Sequence, residues 1–309
     1  MSDRDPREHP EPLDRLDALL RRFPVRARQF SDGALCETRR LDALPGRGFL
    51  HVLRGGSLAV ATGSDPEPRV FSEPSVLFYP RAVEHTLLGE AEAPVDLACA
   101  TLDFDGGVSH PLVSALPELV VVAIVDVPGL DGLLELLDRE RAEARCGHRH
   151  VIDRLFELVL FALLRHLLDR PDAYGLPPGI FGGFGDPHIA RALAAIHQEP
   201  GEAWTLDRLA RTARMSRSAF AARFRELVQA SPHDYLIAWR MTVGKQLLRE
   251  RQPVTRVAAE LGYTGSSFSR VFAQREGASP RAWAERELSG EEPRETDDDP
   301  EPDSQRGRR

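Results

Sequence analysis

Four side chains in the first hundred residues have the types to do metal or redox chemistry: Cys36, His51, His85 and Cys99. Two thiolates and two imidazoles at about 2.0–2.3 Å would make a tetrahedral zinc site. Thiolates are also the groups an oxidant attacks first. The separations of 15, 34 and 14 residues match no short zinc motif, so only a fold could bring the four together. Two plainer readings stand beside this one. Cysteine is among the residues most often buried, and a histidine on an apolar face is commonly a satisfied core residue. The same positions could also line a cavity for a small organic ligand. A second cluster, Cys146, His148 and His150 in RAEARCGHRH, reads either as a surface metal site or as an ordinary helix terminus.

The elements that would position these residues are short strands. Between residues 24 and 104 the runs VRARQF, ALCETRR, FLHVL, SLAVAT, SVLFY and VDLACATLDF are separated by Gly, Pro and Asp clusters, which predicts a sandwich or jelly-roll barrel. Cys36, His51 and Cys99 each fall in a strand and His85 begins another. Alternation puts Phe49, His51 and Leu53 on one face and Val95, Leu97 and Cys99 on one face. If both faces line the barrel, the thiols and imidazoles converge.

From residue 111 the period changes to three and four. LDGLLELLDRERAEA and VIDRLFELVLFALLRHLLDR predict helices, expected to mediate dimerisation over residues 111–170. The second run is interrupted by Asp153, Arg154, Glu157, Arg165 and His166. Its unbroken apolar part, Leu158–Leu164, is far short of the roughly 20 residues that span a membrane. Residues 171–186 (PDAYGLPPGIFGGFGD) read as a linker. Residues 1–12 and 289–309 are Pro-rich and acidic or mixed in charge, and are expected to be disordered. The barrel is thus placed at 13–110 and a second, helical domain at 187–288.

Charge separates the two domains. The chain carries a net −8, but residues 1–185 hold 20 basic and 29 acidic side chains, residues 186–287 hold 16 and 11, and residues 288–309 hold 4 and 8. One stretch of about a hundred residues is basic inside an acidic protein, the footprint of a nucleic-acid partner. The same stretch repeats itself. Ala210, Ala213, Met215, Phe220, Phe224, Ser231, Pro232 and Tyr235 have counterparts Ala258, Leu261, Tyr263, Phe268, Phe272, Ser279, Pro280 and Trp283, each 48 residues on. Each unit reads as helix, tight turn, helix. Thr205 and Ser216 are expected to cap the helices of the first unit, and Thr255 the first helix of the second. The face opposite the phenylalanines offers Ser216, Arg217, Ser218, Ala222, Arg223 and Arg225, then Ser266, Ser267, Ser269, Arg270, Gln274 and Arg275. Hydroxyls and arginines near a helix N-terminus suit phosphates and base edges in a major groove. A solvated arginine face on a plain helical bundle is the bland alternative.

Residues 187–287 resemble the AraC/XylS-type DNA-binding domain, two helix-turn-helix units joined by a long helix. WTLDRLARTARMSRSAFAARFRE, IAWRM, VTRVAAELGY and FAQREGASP carry the resemblance. It implies base-facing positions at Ser218, Ala221 and Ala222 in the first unit and at Gly265, Ser266 and Arg270 in the second. The turn after Gly262-Tyr263 is one residue shorter than the family's usual second unit. FLHVLRGG, EPSVLFYPRAVEHTL and LACATLDF are similar to the cupin-type N-terminal domain of one branch of these regulators, including relatives that respond to reactive chlorine and share an early and a late Cys. That resemblance implies an oxidant-responsive site in which oxidation of Cys36 and Cys99 would release Zn²⁺ or form a disulfide. Metal-using cupin enzymes carry an HxH pair and a Glu, and only the later His, His85, has a counterpart here. The expected fold is therefore α+β in two domains, a jelly-roll sensor barrel followed by an all-α reader. The expected function is a transcription regulator, activator or repressor, and not an enzyme. Its expected partners are double-stranded promoter DNA, RNA polymerase and a second copy of itself. Three cysteines and no apolar leader point to the cytoplasm. A cupin-type metal enzyme fused to a DNA-binding tail is the alternative from another class.

Overall fold

The computed structural model describes residues 13–63, 67–90 and 92–289. Residues 1–12 and 290–309, which make up nearly all of the two stretches expected to be disordered, lie outside the described residues. Contacts divide the chain into two units, Met1–Val243 and Gly244–Arg309.

The first unit opens with a short helix α1 (Asp17–Arg22) and then the strands β1 (Val25–Leu35), β2 (Arg39–Leu41), β3 (Arg47–Gly55), β4 (Leu58–Thr62), β5 (Arg69–Phe71), β6 (Ser75–Tyr79), β7 (His85–Leu88) and β8 (Val95–Phe104). After α2 (Pro111–Ala115) comes β9 (Val120–Ala123). The strands form two sheets, in the orders β1-β8-β3-β6-β9 and β2-β7-β4-β5. Every pairing is antiparallel. Leu35, Leu53, Leu58, Leu77, Leu87, Val95, Leu97 and Cys99 form the core enclosed by the strands. β9 lies inside the region expected to be wholly helical. Its run of β-branched residues completes the first sheet by pairing Val120–Ala123 with Ser75–Phe78. Cys36 also departs from expectation, since it follows the end of β1 and is exposed.

Two helices then cover the barrel, α3 (Leu130–Glu143) and α4 (His148–Asp169). β1 is an edge strand, and an edge exposes unpaired backbone groups. α4 supplies the acceptors: Glu157 Oε1 takes the Ala27 N–H at 3.2 Å and Asp153 Oδ1 the Gln29 N–H at 2.8 Å. α3 is held by Arg54, whose buried guanidinium bonds Asp32 at 2.6 Å, Asp96 at 2.6 Å and Asp138 of α3 at 2.8 Å.

The stretch expected as a linker is ordered. It contains α5 (Ile180–Gly185), in which Phe181 and Phe184 are fully buried. Two phenylalanines in a Gly-rich run gave it something to bury. α6 (Pro187–Gln198), α7 (Leu206–Thr212) and α8 (Arg217–Val228) follow. The long helix α9 (Pro232–Arg249) carries the chain into the second unit, made of α10 (Val254–Glu260), α11 (Gly265–Glu276) and α12 (Pro280–Ser289). There Gly244 is packed so closely that a Cβ would stand 3.2 Å from Leu261 and Phe268. Lys245, the only lysine of the chain, pairs with Glu276 at 3.2 Å.

Two buried histidines of the first unit are built to stay neutral. His110 Nδ1 accepts the Leu112 N–H, capping α2, while Nε2 donates to Phe23 O; burial lowers its pKa to about 4. His197 bonds the Tyr235 hydroxyl at 2.7 Å and stacks on Trp239; burial lowers its pKa to about 3. Above the ordinary histidine value of about 6.5 the folded and unfolded chains bind the same protons here. Below it only the unfolded chain takes them up, so stability falls as pH drops toward 4, by up to ~1.4 kcal/mol per histidine per pH unit. The urea midpoint should be lower at pH 5 than at pH 7.5, and the gap should narrow in His197→Phe. An unchanged gap in that variant would remove His197 as a cause.

Candidate functional site

Strand register explains the central contact of the barrel. On the ladder between β3 and β8, His51 lies directly opposite Cys99, and His51 Nδ1 stands 3.1 Å from Cys99 Sγ. β7, from the facing sheet, brings His85 Nε2 to 2.9 Å from His51 Nε2. His85 Nδ1 is 2.8 Å from the Val83 carbonyl.

A carbonyl can only accept, so His85 carries its proton on Nδ1 and its Nε2 must accept. His51 therefore donates from Nε2, and its Nδ1 accepts the Cys99 S–H. One directed chain results, running Cys99, His51, His85, Val83, with both imidazoles neutral and the thiol protonated. The electrostatics agree. Burial, then the neighbouring His85, holds His51 well below the ordinary histidine value. Burial lowers His85 despite its bond to Val83, and burial pushes the Cys99 thiol far up. Aromatic rings fix the imidazoles in place: Tyr79 stacks on His85 with centroids 4.3 Å apart, and Phe49 stacks on His51 at 6.0 Å.

Three of the four expected residues thus meet, and Cys36 does not. It is exposed, with Sγ 3.8 Å from the Ala34 carbonyl. The three do not fit one tetrahedral ion as they stand. Cys99 and His85 occupy opposite nitrogens of the same imidazole, whereas ligands of one metal must converge. Among the described residues no group of three His, Cys, Asp or Glu side chains is placed to hold a metal, and this includes Cys146, His148 and His150 at the start of α4. A direct Cys36–Cys99 disulfide is ruled out while β1 stays paired. Ser31 is the partner of Cys99 and Leu35 that of Val95, so Cys36 lies five residues along the strand, about 16 Å away, against the ~7 Å limit for Cα atoms of a disulfide.

Sequence reading missed two features of the site. Tyr79 borders a cavity of about 210 Å³ shared with Val60, Thr62, Arg69, Phe71, Glu118 and Leu119, and burial pushes its hydroxyl pKa up to about 12. The alternation of β6 could have flagged it, but all five residues of that strand are buried. The Arg54 cluster carried no local signal, since its acidic partners are scattered over more than a hundred residues.

The repeated helical units are equally specific. Ser216 caps α8 by accepting the Ala219 N–H, and Thr264 caps α11 by accepting the Ser267 N–H. Both helices have 12 residues, so the shorter second turn leaves the recognition helix intact. Thr205 caps α7 as expected. Thr255 does not cap α10; the helix begins at Val254 behind Pro253. Phe220, Phe224, Phe268 and Phe272 are wholly buried. The closing aromatics repeat in geometry, Tyr235 meeting Phe224 edge-on at 5.7 Å and Trp283 meeting Phe272 at 5.8 Å. On the outer faces Ser216, Arg217, Ser218, Ala222, Ser266 and Arg270 are exposed, while Arg223, Gly265 and Ser267 are half-buried. Arg223 is tied to Asp186, the cap of α6, and to Glu226, each at 3.0 Å. Arg270 has no ion pair among the described residues.

Comparison with known proteins agrees with both halves. Residues 14–169, just over half of the chain, match the cupin family, and residues 209–286 match a helix-turn-helix domain family. The RCS-specific HTH-type transcriptional activator RclR of Escherichia coli K12 is 26% identical over 88% of this chain and 98% of its own length. The HTH-type transcriptional regulator MtrA of Neisseria gonorrhoeae is 25% identical over 78% of this chain and 87% of its own. Among solved structures, the DNA-binding domain of the global transcriptional factor AdpA in complex with a target DNA is 29% identical over 34% of this chain and 96% of that one, with a TM-score of 0.33. The chain is a DNA-binding transcription regulator of the AraC family, with a cupin as its N-terminal sensing domain.

Proposed function

We propose that this regulator acts as a cytoplasmic homodimer, reads promoter DNA with α8 and α11 and recruits RNA polymerase, and that its cupin senses an electrophilic oxidant at Cys99 instead of catalysing a reaction. The observation that carries the sensing role is the buried chain Cys99–His51–His85. It gives Cys99 an adjacent base and gives that base a second base behind it. A hypohalous acid would take the thiol to a sulfenic acid: sulfur gains the oxygen and loses two electrons, and the halogen leaves as halide with the proton. RclR, by its name, is specific for RCS, and that relationship supports this class of signal. Closing a disulfide to Cys36 would then require the end of β1 to unpair from β8. Because β1 is bonded to α4 through Glu157 and Asp153, such a change would reach the helices proposed to dimerise. Those helices keep exposed apolar side chains at Leu136, Val151 and Leu158.

A small organic ligand is the second reading, favoured by the cavity beside Tyr79. Arg69 and Glu118 in its wall suit a polar molecule with one charge of each sign.

Four measurements test the proposal. With an aromatic disulfide reagent, Cys36 and Cys146 should react fast and Cys99 only on unfolding, because it is buried and its thiol is held protonated. Mass spectrometry after a stoichiometric dose of hypochlorous acid should nevertheless place the first added oxygen or disulfide at Cys99; oxidation confined to Cys36 and Cys146 would sink the sensing role. On the best duplex recovered by selection from random sequences, Arg270→Ala should cost about 1–3 kcal/mol if it reads a base, with a smaller loss on random DNA. Leu158→Glu should convert the dimer to a monomer in light scattering, and a wild-type protein that is monomeric at micromolar concentration would refute the assembly.

A further inference from the structure

The two helix-turn-helix units make the same turn with different residues. In both, the backbone closes by the same two bonds. Met215 N donates to Ala210 O at 2.9 Å as Tyr263 N does to Ala258 O at 2.8 Å, and Arg214 N donates to Arg211 O at 2.9 Å as Gly262 N does to Ala259 O at 3.1 Å. The corner residue is left-handed in each, with φ of 56° at Arg214 and 74° at Gly262. Only glycine adopts this conformation without strain. The second unit uses glycine, and the first holds an arginine at the equivalent position.

A second pair shows the same contrast together with its reason. The residues that end the two recognition helices, Gln229 and Gly277, are also left-handed and 48 apart. Gln229 offsets its strain locally, since its side-chain amide donates to Glu226 O at 2.9 Å and closes the end of α8. Arg214 has no comparable bond. Its side chain is exposed and makes no hydrogen bond or ion pair with any described residue. An uncompensated strained arginine in the turn that leads into a recognition helix points to a partner outside the chain.

We infer that Arg214 is a backbone contact of the first reader, its guanidinium binding a phosphate of the duplex beside the N-terminus of α8. Its place decides phosphate over base. It sits in the turn, two residues ahead of the Ser216 cap, where protein groups meet the sugar–phosphate chain and not the groove floor. The guanidinium fork matches phosphate geometry, and the α8 N-terminus favours an anion at the same spot. The exposed Arg211 and Arg217 flank it. The second unit, with Gly262, lacks this contact, so the two readers grip the backbone unequally.

The experiment uses the full chain and a fluorescein-labelled duplex of mixed sequence, because a phosphate contact needs no operator. Arg214→Gly should raise the melting temperature by about 2–4 °C by relieving the turn. It should also weaken binding roughly eightfold near 0.1 M salt and make the slope of log K against log salt shallower by about 0.9. Arg214→Lys should keep most of the slope. Arg251, left-handed at φ 61° in the turn before α10, is the control: Arg251→Gly removes the same charge and strain, and should raise the melting temperature without changing the slope. Unchanged affinity and slope in Arg214→Gly, or an equal loss in Arg251→Gly, overturns the assignment. A wild-type chain that binds no duplex would instead overturn DNA binding itself.

Discussion

Most of this structure follows from one requirement, that a polar group taken out of water must find a partner. β1 ends a five-stranded sheet, and its outward N–H groups would otherwise invite another chain. The carboxylates of Asp153 and Glu157 meet them, which fixes both the position of α4 against the barrel and its rotation about its own axis. Arg54 does the same for α3, neutralised by carboxylates from two strands and the helix. A cluster of this kind is not a large source of net stability, because desolvating the ions offsets their attraction. Its effect is to exclude other placements of the helix.

The same requirement explains what could and could not be read beforehand. His51 and Cys99 were legible as neighbours because strand alternation sorts residues by face, and both runs were long enough to show it. The tandem readers were legible because two copies in register leave little room for accident. Asp153 and Glu157 looked like interruptions in an apolar helix. Their task belongs to a strand more than a hundred residues earlier, and no local pattern records that. β9 was missed because three β-branched residues do not outweigh a helical neighbourhood. The segment 171–186 was read as a connector from its Gly and Pro content, yet its phenylalanines decided the outcome. Cys36 was placed with the site by its type, its expected strand and the early Cys of similar regulators, and the register of β1 sets it far from Cys99.

The tandem readers show how a repeat diverges without losing its frame. The backbone bonds of the two turns agree to within 0.2 Å, and the closing aromatics meet their phenylalanines at nearly the same distance. Inside the frame the changes stay apolar or aromatic, as from Ala213 to Leu261 and from Tyr235 to Trp283; the changes of chemistry lie at positions left to solvent, arginine or glycine at the corner and alanine or serine and arginine on the outer face. Packing therefore holds the geometry while specificity is free to change.

The line from Cys99 to the Val83 carbonyl has a further consequence. Every imidazole nitrogen in it is committed, two as donors and two as acceptors, and no strong hydrogen-bonding capacity is left over. A metabolite that must be recognised by its polar groups would find nothing to hold in this line itself. A small neutral reagent that forms a bond to sulfur needs no such welcome, and in taking the thiol proton away it would leave the first imidazole without its donor. On the proposed sensing role, selectivity would come from having already spent every contact, so that chemistry and not affinity would disturb the line.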